Sequence, residues 1–271
     1  MNRAVIVRTL RDALPLILTT VVVVVLFEML FLLAMNQLAP DLLAFVSRLK
    51  FLIPLFKALL SLDVASNVTF DSLAAIGMVH PFFLAVTWSV LVTLGTRVPA
   101  GEIDRGTADV LLTLPISRTA IALSVWGVWI GTAALFCLSA WTGSRLGQAV
   151  FHMTAPLDFS GLALVATNLF VLELAIGGTT ALASAICNRR GTAIALVIGL
   201  LLFSILIDFL AAFLESARPF RFLGFLEYYR PVEIVRDHRI EPRNLVVLLS
   251  IALSTWTAAL WVFRRKDVPG P

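Results

Sequence analysis

Six apolar runs, each close to 20 residues long, are the feature that most limits what this chain can fold into. We place them at about 14–35, 75–96, 119–141, 159–186, 192–214 and 244–263. An α-helix rises about 1.5 Å per residue, so about 20 residues cross the roughly 30 Å hydrocarbon core of a bilayer. The sequence therefore predicts an all-α membrane protein with six transmembrane helices.

Composition supports the membrane assignment over a soluble core. Of the 271 residues, 59% are hydrophobic and 14% are charged, against about 45–50% and about 25% in soluble domains. That excess is too large for one buried core. We find no internal repeat, low-complexity tract or flexible linker in the sequence, so residues 1–271 are predicted to form a single transmembrane domain.

The N-terminal residues 2–12 predict an amphipathic interfacial helix on the membrane surface. Their arginines are Arg3, Arg8 and Arg11, and the opposing apolar stripe is Val7, Leu10 and Leu14. The run that follows is longer than the about 7–15 apolar residues of a signal peptide, so we interpret it as a permanent span. Pro15 suits its first turn.

Residues 42–62 are apolar, but we do not predict a span there. Arg48, Lys50 and Lys57 would each cost roughly 2.5–3.5 kcal/mol near the bilayer centre, and Pro54 interrupts a helix. A helix–break–helix lying on the outer leaflet fits these residues better.

Cationic residues flank the spans, and this distribution predicts orientation. The clusters are Arg3, Arg8 and Arg11; Arg97, Arg105 and Arg118; Arg189 and Arg190; and Arg264, Arg265 and Lys266. With six spans they all fall on one side, which the positive-inside rule assigns to the cytoplasm together with both termini. We therefore expect a multi-pass protein of a bacterial inner membrane. The net charge of +4 does not predict nucleic-acid binding.

Motifs for ATP hydrolysis and for metal binding are not found in the sequence. None of the three lysines stands in a G-x-x-x-x-G-K-[ST] phosphate loop, and no H-E-x-x-H or C-x-x-C occurs. We therefore predict that the chain is not an enzyme by itself and holds no cofactor. Met78, His80, His152 and Met153 could contact a soft metal ion, but their spacing is loose, and we predict no metal site.

Three acids lie inside the predicted spans: Glu28, Glu173 and Asp208. An acid facing lipid is costly, so each is expected to face another helix, a cavity or a partner. One interpretation is a translocation path or gate. The other is a hydrogen bond to a neighbouring helix or to a loop arginine such as Arg218 or Arg221.

The loop at 101–118, GEIDRGTADVLLTLPISR, is charged at its start and apolar at its end. Acids in a first turn suit the positive end of a helix, and Pro115 would stop that helix before Arg118 begins the next span. The pattern predicts a short amphipathic helix that docks into another protein. The alternative is a solvated loop surface.

This segment resembles the cytoplasmic loop of ABC-2 type transporter permeases, the membrane subunits of ATP-binding-cassette exporters. That family typically shows an acid, a basic residue with Gly-Thr, paired leucines, a proline and Ser-Arg. The matching residues are Glu102, Arg105, Gly106, Thr107, Leu111, Leu112, Pro115, Ser117 and Arg118. His80-Pro81 and the tail from Tyr228 to Val268 are also similar. A departure is Asp237-His238, where a small turn residue such as glycine is expected.

The resemblance implies six spans, a coupling helix over 102–114 seated on a separate nucleotide-binding subunit, and short outer helices between the fifth and sixth spans. It also implies two permease copies, in a homodimer among membrane lipids, and two ATPase subunits that bind ATP and Mg. The cargo is not implied. The expected coupling residues are Glu102, Asp104, Arg105, Gly106, Thr107, Asp109, Leu111, Leu112, Pro115 and Arg118.

Two other functions stay open at the level of sequence. A membrane-embedded enzyme, such as a lipid transferase, would need Glu28, Glu173 and Asp208 to converge at one depth. An accessory membrane anchor would bind a partner without transport of its own.

Overall fold

The described part of the chain is a bundle of long apolar helices. The computed structural model describes residues 1–48, 69–108, 113, 115–151 and 156–267, and all regular structure within them is helical. Six helical segments there are long and apolar enough to cross a membrane: Arg3–Gln37, Phe70–Gly95, Arg118–Phe151, Phe159–Ile186, Arg190–Phe213 and Pro242–Arg265. The predictions of an all-α fold and of six spans are confirmed at this level, as a multi-pass membrane protein.

The helices are numbered here in chain order. They are α1 Arg3–Arg48, α2 Phe70–Gly77, α3 Pro81–Gly95, α4 Glu102–Asp104, α5 Arg118–Phe151, α6 Phe159–Ile186, α7 Arg190–Phe213, α8 Pro231–Asp237 and α9 Pro242–Arg265. A kinked segment, Arg97–Gly101, joins α3 to α4. Two 3-10 helices, Glu215–Leu223 and Phe225–Tyr228, follow α7.

The N-terminal segment differs from its prediction. Helix α1 runs unbroken from Arg3, so residues 2–12 are not a separate surface helix, and Pro15 lies inside α1 rather than in a first turn. Val5 is buried against Ile121 of α5, and the amide of Asn2 donates to Ser124 Oγ at 2.6 Å. These contacts hold the N-terminal turns on the bundle. Residues 42–48 continue α1, and 49–62 lie outside the described residues.

The second span is made of two helices. Helix α2 begins where Thr69 Oγ1 accepts from the amide of Ser72 at 3.2 Å, and α3 begins at Pro81, where proline suits a first helical position. Nδ1 of His80 accepts from the amide of Phe82 at 3.2 Å. The resulting break at residues 78–80 exposes backbone carbonyls to side-chain donors within the bundle.

The third span is longer than predicted. Helix α5 continues to Phe151, beyond the predicted end of the span at about 141, so Arg145 is a helical residue. Its guanidinium lies 4.3 Å from the ring centre of Phe159 and 5.3 Å from that of Trp141. Cation–π contacts of this kind allow a cation to sit near the end of an apolar helix.

Close backbone packing joins α1 to α5. Gly143 and Gly147 of α5 face α1, and a Cβ on Gly143 would lie 2.8 Å from Cβ of Glu28 and 2.9 Å from the carbonyl oxygen of Val25. Small residues four apart let two membrane helices approach this closely. The two glycines therefore place the closest approach of α1 and α5 at the level of Glu28.

Tryptophans tie together the other half of the bundle. The rings of Trp126 and Trp256 have centres 4.5 Å apart. The indole of Trp129 donates to the carbonyl of Leu91 at 2.8 Å, and that of Trp256 donates to the carbonyl of Leu174 at 3.0 Å. These bonds satisfy indole donors in an apolar setting and link α3, α5, α6 and α9.

One end of the bundle collects cations and is called here the cationic end. Arg97 bonds Asp12 at 2.5 Å, and Arg118 bonds the carbonyl of Lys266 at the end of α9. Lys266 in turn bonds the carbonyls of Ala185, at 2.8 Å, and Cys187, at 2.7 Å, where α6 ends. Cations at helix C-termini are favourable. Residues from all four predicted clusters meet at this end.

Candidate functional site

Residues 102–107, the EIDRGT turn, lie at the cationic end and form a compact helix stop. The amide of Thr107 donates to the carbonyl of Glu102 at 2.9 Å, and that of Gly106 donates to the carbonyl of Ile103 at 3.0 Å. These are the two bonds of a Schellman motif, which needs a left-handed residue at its fifth position. Gly106 supplies it with φ +66°.

The turn corrects the prediction of one helix over 102–114. Helix α4 covers only Glu102–Asp104, and the left-handed Gly106 ends it nine residues before Pro115. The sequence interpretation missed this because it read Gly-Thr as part of a family pattern and not as a helix stop. Asp109, Leu111 and Leu112 lie outside the described residues.

Glu102 is buried inside the turn, with 3% of its surface exposed. Its carboxylate accepts from Thr107 Oγ1 at 2.5 Å and from Arg105 at 3.1 Å. Arg8 of α1 lies 3.5 Å away. Glu102 therefore shapes the turn and ties it to α1, and the outward groups are Asp104, Arg105 and Thr107.

The kinked segment before the turn is anchored on three long helices. Arg97 bonds Asp12 of α1, and the amide of Ala100 donates to Ser184 Oγ of α6 at 3.2 Å. Arg190, at the start of α7, donates to the carbonyl of Thr93 at the end of α3 at 2.8 Å, and a Cβ on Gly101 of the kinked segment would lie 3.2 Å from its Cδ. A displacement of the EIDRGT turn would therefore act on α1, α6 and α7 together. In the sequence Arg190 stood out only as a member of a cationic cluster, and its bond to Thr93 was not predicted.

Asp208 belongs to a charge cluster at the opposite end, made with Arg221, Glu227 and Arg230. Its Oδ1 accepts from Arg221 at 2.8 Å and from Arg230 at 2.9 Å. Glu227 contacts both arginines. Burial acts against the charge on Arg230, but Asp208 and Glu227 outweigh it and raise the pKa of Arg230. The predicted loop-arginine partner of Asp208 is present as Arg221.

Glu173 and Trp88 form a buried pair between α6 and α3. The Trp88 indole donates to Glu173 Oε1 at 3.2 Å, and Oε2 has no hydrogen-bond partner among the described residues. Glu173 is 2% exposed. Trp88 was not predicted, although a tryptophan within a span needs an acceptor and thereby points to one.

Glu28 is fully buried on α1, and neither of its carboxylate oxygens has a hydrogen-bond partner among the described residues. Tyr229 lies near both interior acids. Burial is the main cause that raises the pKa of Tyr229 well above its ordinary value. Its hydroxyl donates to the carbonyl of Met78, at the break between α2 and α3, at 3.2 Å.

A cavity of about 310 Å³ lies between α3 and α7. Its walls are mostly apolar, with Trp88 and Tyr229 on one side and Asp208 at one end. Of the three acids predicted for a path or gate, Asp208 alone is among its lining residues. Glu28 and Glu173 lie inside the bundle, so the three do not form one site.

Two histidines noted in the sequence have local roles in the described chain. His80 stacks beside Phe27, with ring centres 5.3 Å apart, and no group of three or more His, Cys, Asp or Glu side chains suited to a metal occurs among the described residues. His152 and Met153 lie outside them. His238 adopts φ +49° at the end of α8, the left-handed conformation that explains why glycine was expected there.

No family model, no curated protein and no solved structure matches this chain.

Proposed function

We propose that this chain is the membrane subunit of an ABC-2 type exporter, driven by ATP that a separate subunit hydrolyses. The observation that carries the proposal is the EIDRGT turn, an ordered element at the cationic end with outward-facing Asp104 and Arg105. A plain connecting loop requires neither a Schellman stop nor a buried carboxylate.

The anchoring of the turn supplies a mechanism. Closure of a partner ATPase against Asp104 and Arg105 would displace the turn as a rigid unit. The bond from Ala100 to Ser184 and the close contact of Gly101 with Arg190 would pass that displacement to α6 and α7. Switching by rigid-body motion of packed elements is common in proteins. Glu102 and Gly106 then act by holding the turn in shape.

The proposed assembly contains two copies of this chain and two ATPase subunits, which bind ATP and Mg. The cationic end and both termini face the cytoplasm of a bacterial inner membrane, by the positive-inside rule. The Leu and Val residues of α1 that are exposed in the single chain face lipid or the second copy. Apolar outer faces are needed in any span, so they do not identify the cargo.

The test is purification of the tagged chain in mild detergent, with co-purifying proteins identified by mass spectrometry. The parent chain is compared with the variant Asp104→Lys, which reverses an outward charge and leaves the Glu102–Arg105 pair in place. We expect a phosphate-loop ATPase with the parent and its loss from the variant.

A matched control reverses an exposed acid at the other end, with Glu215→Lys. Its side chain is 87% exposed, so the fold is expected to tolerate the change and the ATPase to be retained. If the parent is folded and inserted but carries no ATPase, the exporter proposal is wrong.

A membrane-embedded enzyme is the second candidate, since Glu28, Cys137, Glu173 and Tyr229 are all buried polar or titratable groups of the bundle. It is less favoured because Glu28 and Glu173 are 0% and 2% exposed and are not among the residues that line the cavity. Chemical turnover by the purified chain alone would support it.

A further inference from the structure

Glu28 is a buried acid whose carboxyl group has no hydrogen-bond partner among the described residues. It is 0% exposed, and neither carboxylate oxygen has a hydrogen-bond partner there. The contrast with Glu102 is sharp, because that equally buried acid has three partners. Burying an ionised carboxylate without a partner in an apolar interior costs more free energy than the net stability of a folded chain.

The surroundings of Glu28 are backbone and ring surfaces. A Cβ on Gly77 of α2 would lie 2.5 Å from Glu28 Oε2 and 3.1 Å from the ring of Phe31. Gly143 of α5 presses on Cβ of Glu28 from the other side. Glu28 is thus held where α1, α2 and α5 meet.

The titratable side chains on the packed elements offer Glu28 no compensating cation. They are Asp71 on α2, His80 before α3, Arg118, Cys137 and Arg145 on α5, Glu173 on α6, and Tyr229 before α8. Arg118 bonds the carbonyl of Lys266 at the cationic end. Asp71 accepts from the amide of Asp158, Arg145 lies over two aromatic rings, and the Tyr229 hydroxyl donates to Met78. The ring of His80 packs at a tilt against the rings of Phe27 and Phe31.

A bound metal ion is disfavoured at this place. No group of three or more His, Cys, Asp or Glu side chains that could hold one occurs among the described residues. A single carboxylate among ring carbons and glycine backbone lacks the six or more oxygen ligands that hard cations take. The remaining small cation is the proton.

We infer that Glu28 is a proton-binding site of the membrane interior, carrying its proton in this conformation, and that Glu173 is a second such site. Glu173 fits because a neutral carboxyl still accepts the Trp88 hydrogen bond through its carbonyl oxygen. The inference does not depend on the exporter proposal. Release of the Glu28 proton would require water, so α1, α2 and α5 would have to part at this crossing.

The experiment is infrared spectroscopy of the purified, detergent-solubilised chain at neutral pH, in H₂O and in D₂O. The parent is compared with Glu28→Gln and with Glu173→Gln, each of which replaces a neutral carboxyl with an amide of the same shape. We expect each variant to lose one C=O band of a protonated carboxyl, a band that shifts in D₂O.

The result that overturns the inference is loss of carboxylate bands, rather than of a protonated band, in the Glu28→Gln difference spectrum. Dependence of those carboxylate bands on added Na⁺ or K⁺ would assign the site to a metal cation and also overturn it. If Glu28→Gln does not fold, Glu173→Gln removes the other contribution, and a protonated band must remain in its spectrum.

A second readout is the dependence of unfolding temperature on pH. The folded parent keeps a proton that the unfolded chain releases above about pH 4.3, the ordinary value for glutamate. Stability of the parent should therefore fall as pH rises above that value, and the stability of Glu28→Gln should fall less. Identical pH profiles for the two proteins would contradict the inference.

Discussion

Two buried acids, Asp208 near the end of α7 and Glu28 inside the bundle, are stabilised in different ways. Asp208, 7% exposed near the end of α7, meets Arg221 and Arg230. Glu28, 0% exposed inside the bundle, has no hydrogen-bond partner among the described residues. Helix–loop geometry explains the difference, because the segment after α7 folds back and brings arginines to the end of that helix.

The comparison teaches that burial alone does not decide the state of an intramembrane acid. Where a loop can deliver a guanidinium, the charge is kept and becomes a structural tie. Where glycine backbones and aromatic rings surround the carboxyl, the charge is not supported and a proton is the simplest partner. Removing the charge should therefore destabilise the chain at Asp208 and have little effect at Glu28.

The largest expected effect is that of Asp208→Asn. It leaves two arginines facing Glu227 alone, and breaking a buried ion pair costs about 3 kcal/mol or more. We expect a clear fall in the unfolding temperature of the purified chain. Glu28→Gln should be close to neutral, since it replaces an uncharged group by an uncharged group.

The control for Asp208→Asn is Glu215→Gln, which removes an exposed partner of Arg218. Exposed pairs contribute about 0–1 kcal/mol, so little change is expected. If Asp208→Asn and Glu28→Gln destabilise the chain equally, the proposed difference between the two acids is wrong.

A second prediction concerns the crossing that holds Glu28. Gly143→Ala places a methyl group 2.8 Å from Cβ of Glu28, and we expect a loss of about 1–3 kcal/mol from overpacking. Gly131→Ala, on the same helix, meets nothing within 4 Å and should be neutral or stabilising by up to about 1 kcal/mol. Unfolding temperatures of the two variants measure the difference.

A loss in both glycine variants would show that α5 responds to helix-wide effects and not to contact with α1. In that case the close approach at Gly143 would not explain why Glu28 is held without partners.

A third prediction tests the hydrogen bond between Trp88 and Glu173. Glu173→Gln keeps an acceptor for Trp88, whereas Glu173→Leu leaves the buried indole unsatisfied, at a cost of about 1–2 kcal/mol. We expect the leucine variant to unfold at the lower temperature. In a Trp88→Phe background the difference between Gln and Leu should disappear, and its persistence would remove the hydrogen bond as the cause.

The sequence predicted the spans well because apolar run length is a local property. One of the two interpretations left open for Asp208, a bond to a loop arginine, is present in the structure, since a charge near a helix end has few alternatives. Three features were beyond local patterns: the unbroken α1 across Pro15, the inclusion of Arg145 in α5, and the isolation of Glu28. Each depends on which helix lies alongside, and hydropathy does not contain that information.

The EIDRGT turn teaches a different lesson about sequence. Gly106 was available as a local helix-stop signal, because glycine followed by a break is typical of a helix C-terminus. The resemblance to a family drew attention to Glu102, Arg105 and Thr107 as partner contacts. The structure instead uses Glu102 and Thr107 to close the turn on itself, which leaves Asp104 and Arg105 as the outward pair.

The smallest predicted effect extends the comparison to an exposed acid, Asp158, which lies 3.3 Å from His238. The hydroxyl of Ser160, and not His238, is the main cause that lowers the pKa of Asp158. His238→Gly therefore loses little electrostatically and relieves a left-handed conformation that costs a non-glycine residue about 1 kcal/mol. We expect a small rise in unfolding temperature. His238→Ala loses the same contact but keeps the strained backbone, so it should not rise, and a fall in both variants would mean that even this exposed partner contributes more than the backbone costs.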